Sequence, residues 1–159
     1  MAVGTVSGID SADNWQLIAS NSPTSGTTAA SFTSISGYKR VMVVWKALRT
    51  SGAAWLFLKV NNDTTAGNYG AMATYGAANN FESESFIPLS GVNTTNFSGA
   101  ITIENVNQST PHQISNFASY ATSQFTGAIL NSSPITQIDV YVNTSTLTGG
   151  TVQLWGVAG

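Results

Sequence analysis

The sequence predicts an all-β chain folded as a single antiparallel β-sandwich or closed barrel of about eight or nine strands. Three observations carry that prediction. No apolar stripe of helical period persists, because Gly, Ser, Thr and Asn interrupt every long window. Short segments with apolar residues in period two recur along the chain, separated by turn residues. Finally, charged residues make up only 8% of the chain, while Ser, Thr and Asn supply about a third of it. Globular domains are usually about 25% charged, so the exposed faces must be built from hydroxyls and amides.

The elements follow in order. "NWQLIAS" (14–20) alternates Trp15, Leu17 and Ala19, and "AASFTSI" (29–35) is a second short strand. "YKRVMVVWKAL" (38–48) places Val41, Val43 and Trp45 on one face and Met42 and Val44 on the other. "AAWLFLKV" (53–60) is apolar on both faces, the mark of a central, doubly covered strand. "SFIPLS" (85–90) contains Pro88 and belongs at an edge or a strand end. "GAITIENV" (99–106) and "HQISNFASY" (112–120) come next. "ITQIDVYVN" (135–143) aligns Ile138, Val140 and Val142 opposite Tyr141, and "TVQLWGV" (151–157) closes the chain. Residues 20–31 and 61–84 read as loops. The four tryptophans fall in predicted strands, where core packing is their expected role.

A chain of 159 residues suits one domain with a real core. Its net charge of −2 offers no basic excess for phosphate neutralisation, so nucleic acid is not expected as a partner. All five basic residues nevertheless fall in one window: Lys39, Arg40, Lys46, Arg49 and Lys59. Arg40 and Lys46 share one strand face and Lys39 takes the other. They read as solubility charges at strand ends, or as a local positive patch facing an acidic partner. The absence of Cys excludes disulfides and Cys-based metal sites. "MAVGTVSGIDSADNW" is no signal peptide, and the apolar runs at 41–45 and 53–58 are too short to span a membrane. A soluble protein synthesised in a cytoplasm is expected, with no membrane partner.

Candidate chemistry is sparse. In "VNNDTTAGNYG" (60–70), Asn61, Asn62 and Asp63 could be oxygen ligands, but calcium wants several carboxylates and this stretch has one. Asn and Asp equally serve a turn, since they tolerate left-handed backbone. His112 is the lone histidine, and no nucleophile elbow accompanies it. Glu82 and Glu84 read as acids on a solvated strand rather than a catalytic pair. Tyr69, Tyr75 and Phe81, in the 61–84 stretch, are the candidates for stacking on a sugar. No catalytic residue, metal or cofactor is assigned, and an enzyme is not expected.

Four segments taken together, "FTSISGYKRVMVVWKAL", "LKVNNDTTAGNYG", "SPITQIDVYVN" and "GGTVQLWGVAG", resemble the small jelly-roll proteins of tailed-phage virions. These are head decoration (cement) proteins and related tail-fibre receptor-binding domains. The resemblance covers about 14–159 and makes jelly-roll-like the preferred topology. It implies a virion structural protein, a homotrimer, with no catalytic residues. Because the chain begins at Met1 and runs only to Gly159, a stand-alone decoration subunit made in a bacterial host is expected rather than a tail-fibre module. It would sit on the outer capsid surface with the major capsid protein as partner. Residues 1–13 are then an extended N-terminal arm, with Val3, Val6 and Ile9 as contact residues. Lys39, Arg40, Lys46 and Arg49 would be further interface residues, and 14–159 the sandwich domain. The alternative is a tail-associated module that recognises host glycans through Tyr69, Tyr75 and Phe81.

Overall fold

A computed structural model describes residues 14–75, 78–89, 94–118 and 124–159. The expected arm, with Val3, Val6 and Ile9, lies outside the described residues. Twelve strands are described: β1 (Gln16–Asn21), β2 (Ala29–Phe32), β3 (Tyr38–Ala54), β4 (Leu56–Val60), β5 (Tyr69–Tyr75), β6 (Ala78–Glu84), β7 (Ile87–Pro88), β8 (Thr94–Glu104), β9 (His112–Ala118), β10 (Gln124–Ile129), β11 (Ile138–Val142) and β12 (Leu147–Ala158). All pair antiparallel, in two sheets packed as a sandwich. The large sheet runs β1-β12-β3-β8-β9-β10-β5-β6, and the small sheet β2-β11-β4-β7. The all-β, jelly-roll-like fold class is therefore as expected, with more strands than eight or nine.

The three unforeseen strands are β5, β6 and β10, which sit side by side at one end of the large sheet. Tyr69–Tyr75 and Ala78–Glu84, expected as loop, form β5 and β6, paired antiparallel from Tyr69↔Glu84 to Tyr75↔Ala78. Ala, Gly, Ser and Asn fill nearly half of these segments, so side-chain alternation is weak there. Main-chain pairing to neighbours holds such strands, and no single-strand pattern announces it.

Alternation predicts the core elsewhere. On β3, Val41, Val43 and Trp45 face inward and are buried. Across the sandwich they meet Leu56, Leu58 and Val60 of β4 and Ile138, Val140 and Val142 of β11, within one continuous cluster. The outward partner of the β4 row, Phe57, is also nearly enclosed at 8% exposure. Phe86 lies over it, with ring centroids 4.3 Å apart, and Tyr141 beside it at 5.6 Å. The expected double covering of this strand is met by aromatics on its outer side. Pro88 ends up on β7, which pairs only with β4 at the sheet edge. Of the tryptophans, Trp45 alone is fully buried. Trp15, Trp55 and Trp155 are half-buried, against expectation, and Trp155 shares the outward parity of Met42, its register partner.

A bulge shapes β3. Trp45 pairs with Gly99 but Leu48 pairs with Phe97, so three residues on β3 oppose two on β8. The extra residue, Ala47, takes φ 47°, and its N–H donates to Ser98 Oγ at 3.0 Å. The slip shifts the face phase: Leu48 and Thr50 become inward and buried, while Lys46, Ala47 and Arg49 are exposed. On the other side of β3, Gly150 of β12 lies against the bulge. Its φ is +93°, and an added Cβ would overlap the Ala47 carbonyl and lie 2.5 Å from Leu48 Cα. Gly26 has a similar φ of +95° but open space around it.

That contrast sets a test. Gly26→Ala is expected to cost about 1 kcal/mol, the left-handed penalty alone. Gly150→Ala should cost about 3 kcal/mol or more, because backbone must move to make room. Urea midpoints at unchanged m-value measure both, and equal losses would contradict the packing of Gly150 on the bulge.

Candidate functional site

The 61–68 loop is where chemistry was most open, and its geometry answers the question. Val60 to Asp63 form a tight turn, with Asp63 N–H donating to the Val60 carbonyl at 2.8 Å. Asn61 and Asn62 both have left-handed backbone, at φ 51° and 55°. Asparagine enters that region more readily than most residues. The Asn61 side chain then reaches a second loop, 130–137. Its Oδ1 accepts from Thr136 N–H (2.8 Å), Gln137 N–H (3.1 Å) and Thr136 Oγ1 (3.2 Å), and its Nδ2 donates to the Pro134 carbonyl (3.0 Å). Asn62 Nδ2 donates to Gln137 Oε1 at 3.0 Å.

Asp63 is held the same way. Oδ1 accepts from Thr65 N–H at 2.9 Å, and Oδ2 accepts from Asn68 Nδ2 (2.7 Å) and Asn131 Nδ2 (2.8 Å). Burial opposes its ionisation, but the donors from Asn131, Thr65 and Asn68 outweigh it and bring the carboxyl from the ordinary 3.8 down to about 2. Groups that point N–H at a carboxylate present positive partial charge. A calcium ion needs converging oxygens instead. The cluster is built to hold an anion, and Asp63 is that anion. Among the described residues no three His, Cys, Asp or Glu side chains gather as a metal site would require.

Tyr69 belongs to this lock. It is fully buried, so its ring offers no face to a sugar, and the expectation of a stacking role for it is corrected. Its hydroxyl accepts from Val60 N–H at 3.1 Å and donates to the Asp63 carbonyl at 3.0 Å. Burial is the main reason the phenol is pushed up to about 12, with Asp63 adding to it and the Val60 hydrogen bond opposing. For Tyr75 and Phe81, as for Glu82 and Glu84, the structure describes the main chain, in β5 and β6, and not the side chains on which those readings depend.

His112 is fully buried at the same end of the sandwich. Nδ1 lies 3.0 Å from the Asn105 carbonyl and Nε2 2.9 Å from the Ser133 carbonyl. Both ring nitrogens are engaged by main chain, so the ring ties β9 to two loops and has no nitrogen turned to a substrate. Further main-chain bonds complete the closure: Ile135 N–H to Val106, Val106 N–H to Lys39, Ile35 N–H to Thr136 and Leu130 N–H to Asn68. Nothing in the local sequence singles out the partners Asn131, Ser133 and Gln137. The only signal was the Asn-Ser-Ser-Pro composition of a loop.

The basic window divides among surfaces. Arg40, Lys46 and Arg49 are on the outer face of the large sheet, Arg49 brought there by the bulge. Lys39 is exposed and of opposite parity to Arg40. Lys59 is on the outer face of the small sheet, its Nζ 5.6 Å from the Tyr141 ring centroid. Arg40 Nε donates to Glu104 Oε2 at 2.6 Å across the β3–β8 pair, so its charge is locally compensated. Among the described residues, no ion pair joins Lys46 or Arg49 to an acidic side chain.

No protein-family model and no curated protein matches the chain. Two solved structures are similar to it at low level. One, described as the crystal structure of A. japonicus CB05, is 12% identical with a TM-score of 0.43. That match covers 94% of this chain but only 27% of the other, so this chain spans about a quarter of its length. The second, the Caenorhabditis elegans galectin LEC-6, is 15% identical with a TM-score of 0.36, covering 88% of this chain and 96% of the galectin. Neither likeness bears on function.

Two outcomes test the lock. Asp63 is ionised more easily folded than unfolded, so its contribution is complete above pH 3.8 and lost as pH falls toward 2. Wild type should therefore exceed Asp63→Asn in stability at about pH 6, and the gap should narrow between pH 3.8 and 2 in pH-resolved urea titrations. Tyr69→Phe leaves the Val60 N–H and the Asp63 carbonyl without their partner and should cost about 1–3 kcal/mol; a neutral result would remove the hydroxyl from the lock.

Proposed function

We propose that this chain is a structural protein of a phage virion, a decoration subunit that docks on the outer surface of the head and stabilises the capsid. The observation that supports this most is an apolar row on the outer face of the large sheet, carried on a locked frame. Leu17 on the edge strand β1 is 49% exposed there, next to half-buried Trp155, Met42 and Val44. Such a surface can be covered by protein with little loss of ionic hydration. The segments that resemble virion jelly rolls supply its frame: β3, the 61–68 loop, β11 and β12.

Reinforcement would come from number. Many modest contacts per head, and three subunits per trimer, give strong attachment even where each contact is weak. The reading assigns the arm 1–13, through Val3, Val6 and Ile9, to the same attachment. The alternative, a tail-associated glycan receptor, loses its first candidate aromatic, because Tyr69 is enclosed.

Co-sedimentation with phage heads lacking this protein tests the proposal. Saturable binding at a fixed ratio to the major capsid protein, with heads more resistant to heat, is the expected result. Deleting residues 1–13 should weaken that binding while leaving the unfolding transition of the domain in place. Absence of binding to heads would sink the decoration reading.

A further inference from the structure

The decoration reading leaves open which surface meets the shell and what kind of surface it meets. We propose that the docking face is the outer side of the β1-β12-β3 region, and that it fits an acidic protein surface with an apolar centre. This inference rests on the decoration reading and names the partner chemistry within it.

The geometry is as follows. Leu17, Trp155 and Met42 lie in one cross-strand row, since Leu17 pairs with Trp155 and Trp155 with Met42. Val44 follows Met42 two residues along β3, about 7 Å further on the same face. Lys46 comes next, and the Ala47 bulge returns Arg49 to this face, where strict alternation from Lys46 would have kept position 48. The result is an aliphatic and aromatic centre flanked on one side by two exposed cations. Trp, Met and Arg are the residues enriched at protein interfaces, where they fill pockets and exclude water.

Charge decides the partner. The protein as a whole is anionic, at −2. Arg40, on the same face, is already neutralised by Glu104. Among the described residues, no ion pair compensates Lys46 or Arg49, which lie beside an apolar surface. An approaching acidic surface would gain those two contacts and steer into register, whereas a second copy of this face would set like charges against each other. The outer face of the small sheet lacks this combination: Phe86 and Tyr141 cover Phe57, and Lys59 is laid against Tyr141.

The test uses heads of the phage that lacks the protein, with the wild-type chain, the Lys46→Glu/Arg49→Glu double variant and Leu17→Ser. Lys46, Arg49 and Leu17 are all exposed, so these changes spare the core, and thermal melts confirm that each variant is folded. Wild-type binding should weaken with rising salt. The double reversal should bind about tenfold or more weakly at low salt and lose most of the salt dependence, and Leu17→Ser should weaken binding while leaving the salt dependence as in wild type. A double variant that binds heads as wild type does overturns this face while leaving the decoration reading standing. Failure of the wild-type chain to bind overturns both. Equal sensitivity of the double variant in binding to an anionic polysaccharide would overturn the protein partner.

Discussion

The carboxamide of Asn61 sits at the point where the two sheets are tied together. Strands β4 and β11 pair in the small sheet, and β5 and β10 pair in the large one. Two chain crossings, 61–68 and 130–137, therefore run side by side from one sheet to the other. Each takes its main chain out of a ladder, and every N–H and C=O it carries needs a new partner. Asn61 supplies three bonds to the second crossing through one oxygen. Asp63 grips the same crossing further along through Asn131, and Leu130 N–H returns a bond to Asn68. The sandwich could not keep its two sheets in register at this end if the crossings moved independently.

The lock is made almost entirely of neutral amides, hydroxyls and main chain. That choice suits a half-buried site. A neutral hydrogen bond there loses less hydration than an ion pair would, and the one charge present, on Asp63, is surrounded by donors. His112 adds a further tie inward, its two ring nitrogens facing the Asn105 and Ser133 carbonyls. The polar composition that first looked like a surface property is thus also the material of the frame. Ser51, Ser145 and Thr146 repeat the pattern at the opposite end, where Ser51 Oγ lies 3.0 Å from Ser145 Oγ and accepts from Thr146 Oγ1 at 3.1 Å.

A frame held this way leaves its sheet faces available, and the two outer faces differ. The small sheet closes its own with an aromatic cluster. The large sheet presents an apolar row with cations beside it, and the β3 bulge, backed by Gly150, puts Arg49 into that row's company. One left-handed alanine and one glycine therefore decide that Arg49 joins Lys46 on this face. That link runs from backbone geometry to a candidate partner through a single change of phase.

Much of this was legible from residues alone. Alternation at Val41–Val43–Trp45 and Ile138–Val140–Val142 marks the inward rows, because a pleated strand sends every second side chain the same way. Asn61 and Asn62 read as turn formers for a local reason, their tolerance of left-handed backbone. The segments of β5, β6 and β10 did not read as strands, because small residues carry no alternation and their stability comes from neighbours distant in sequence. Tyr69 looked exposed from its loop-like surroundings, and Trp155 looked buried from its chemistry. Their reversal comes from which face of the sandwich each strand turns inward. The sequence by itself determined the class of fold, the inward rows and the polar, low-charge character of the surface, since these follow from composition and local periodicity. The tertiary structure decided which loops meet, that Asp63 is surrounded by donors, and that Lys46 and Arg49 share a face. Each depends on contacts between segments far apart in the chain and on a bulge that no period records.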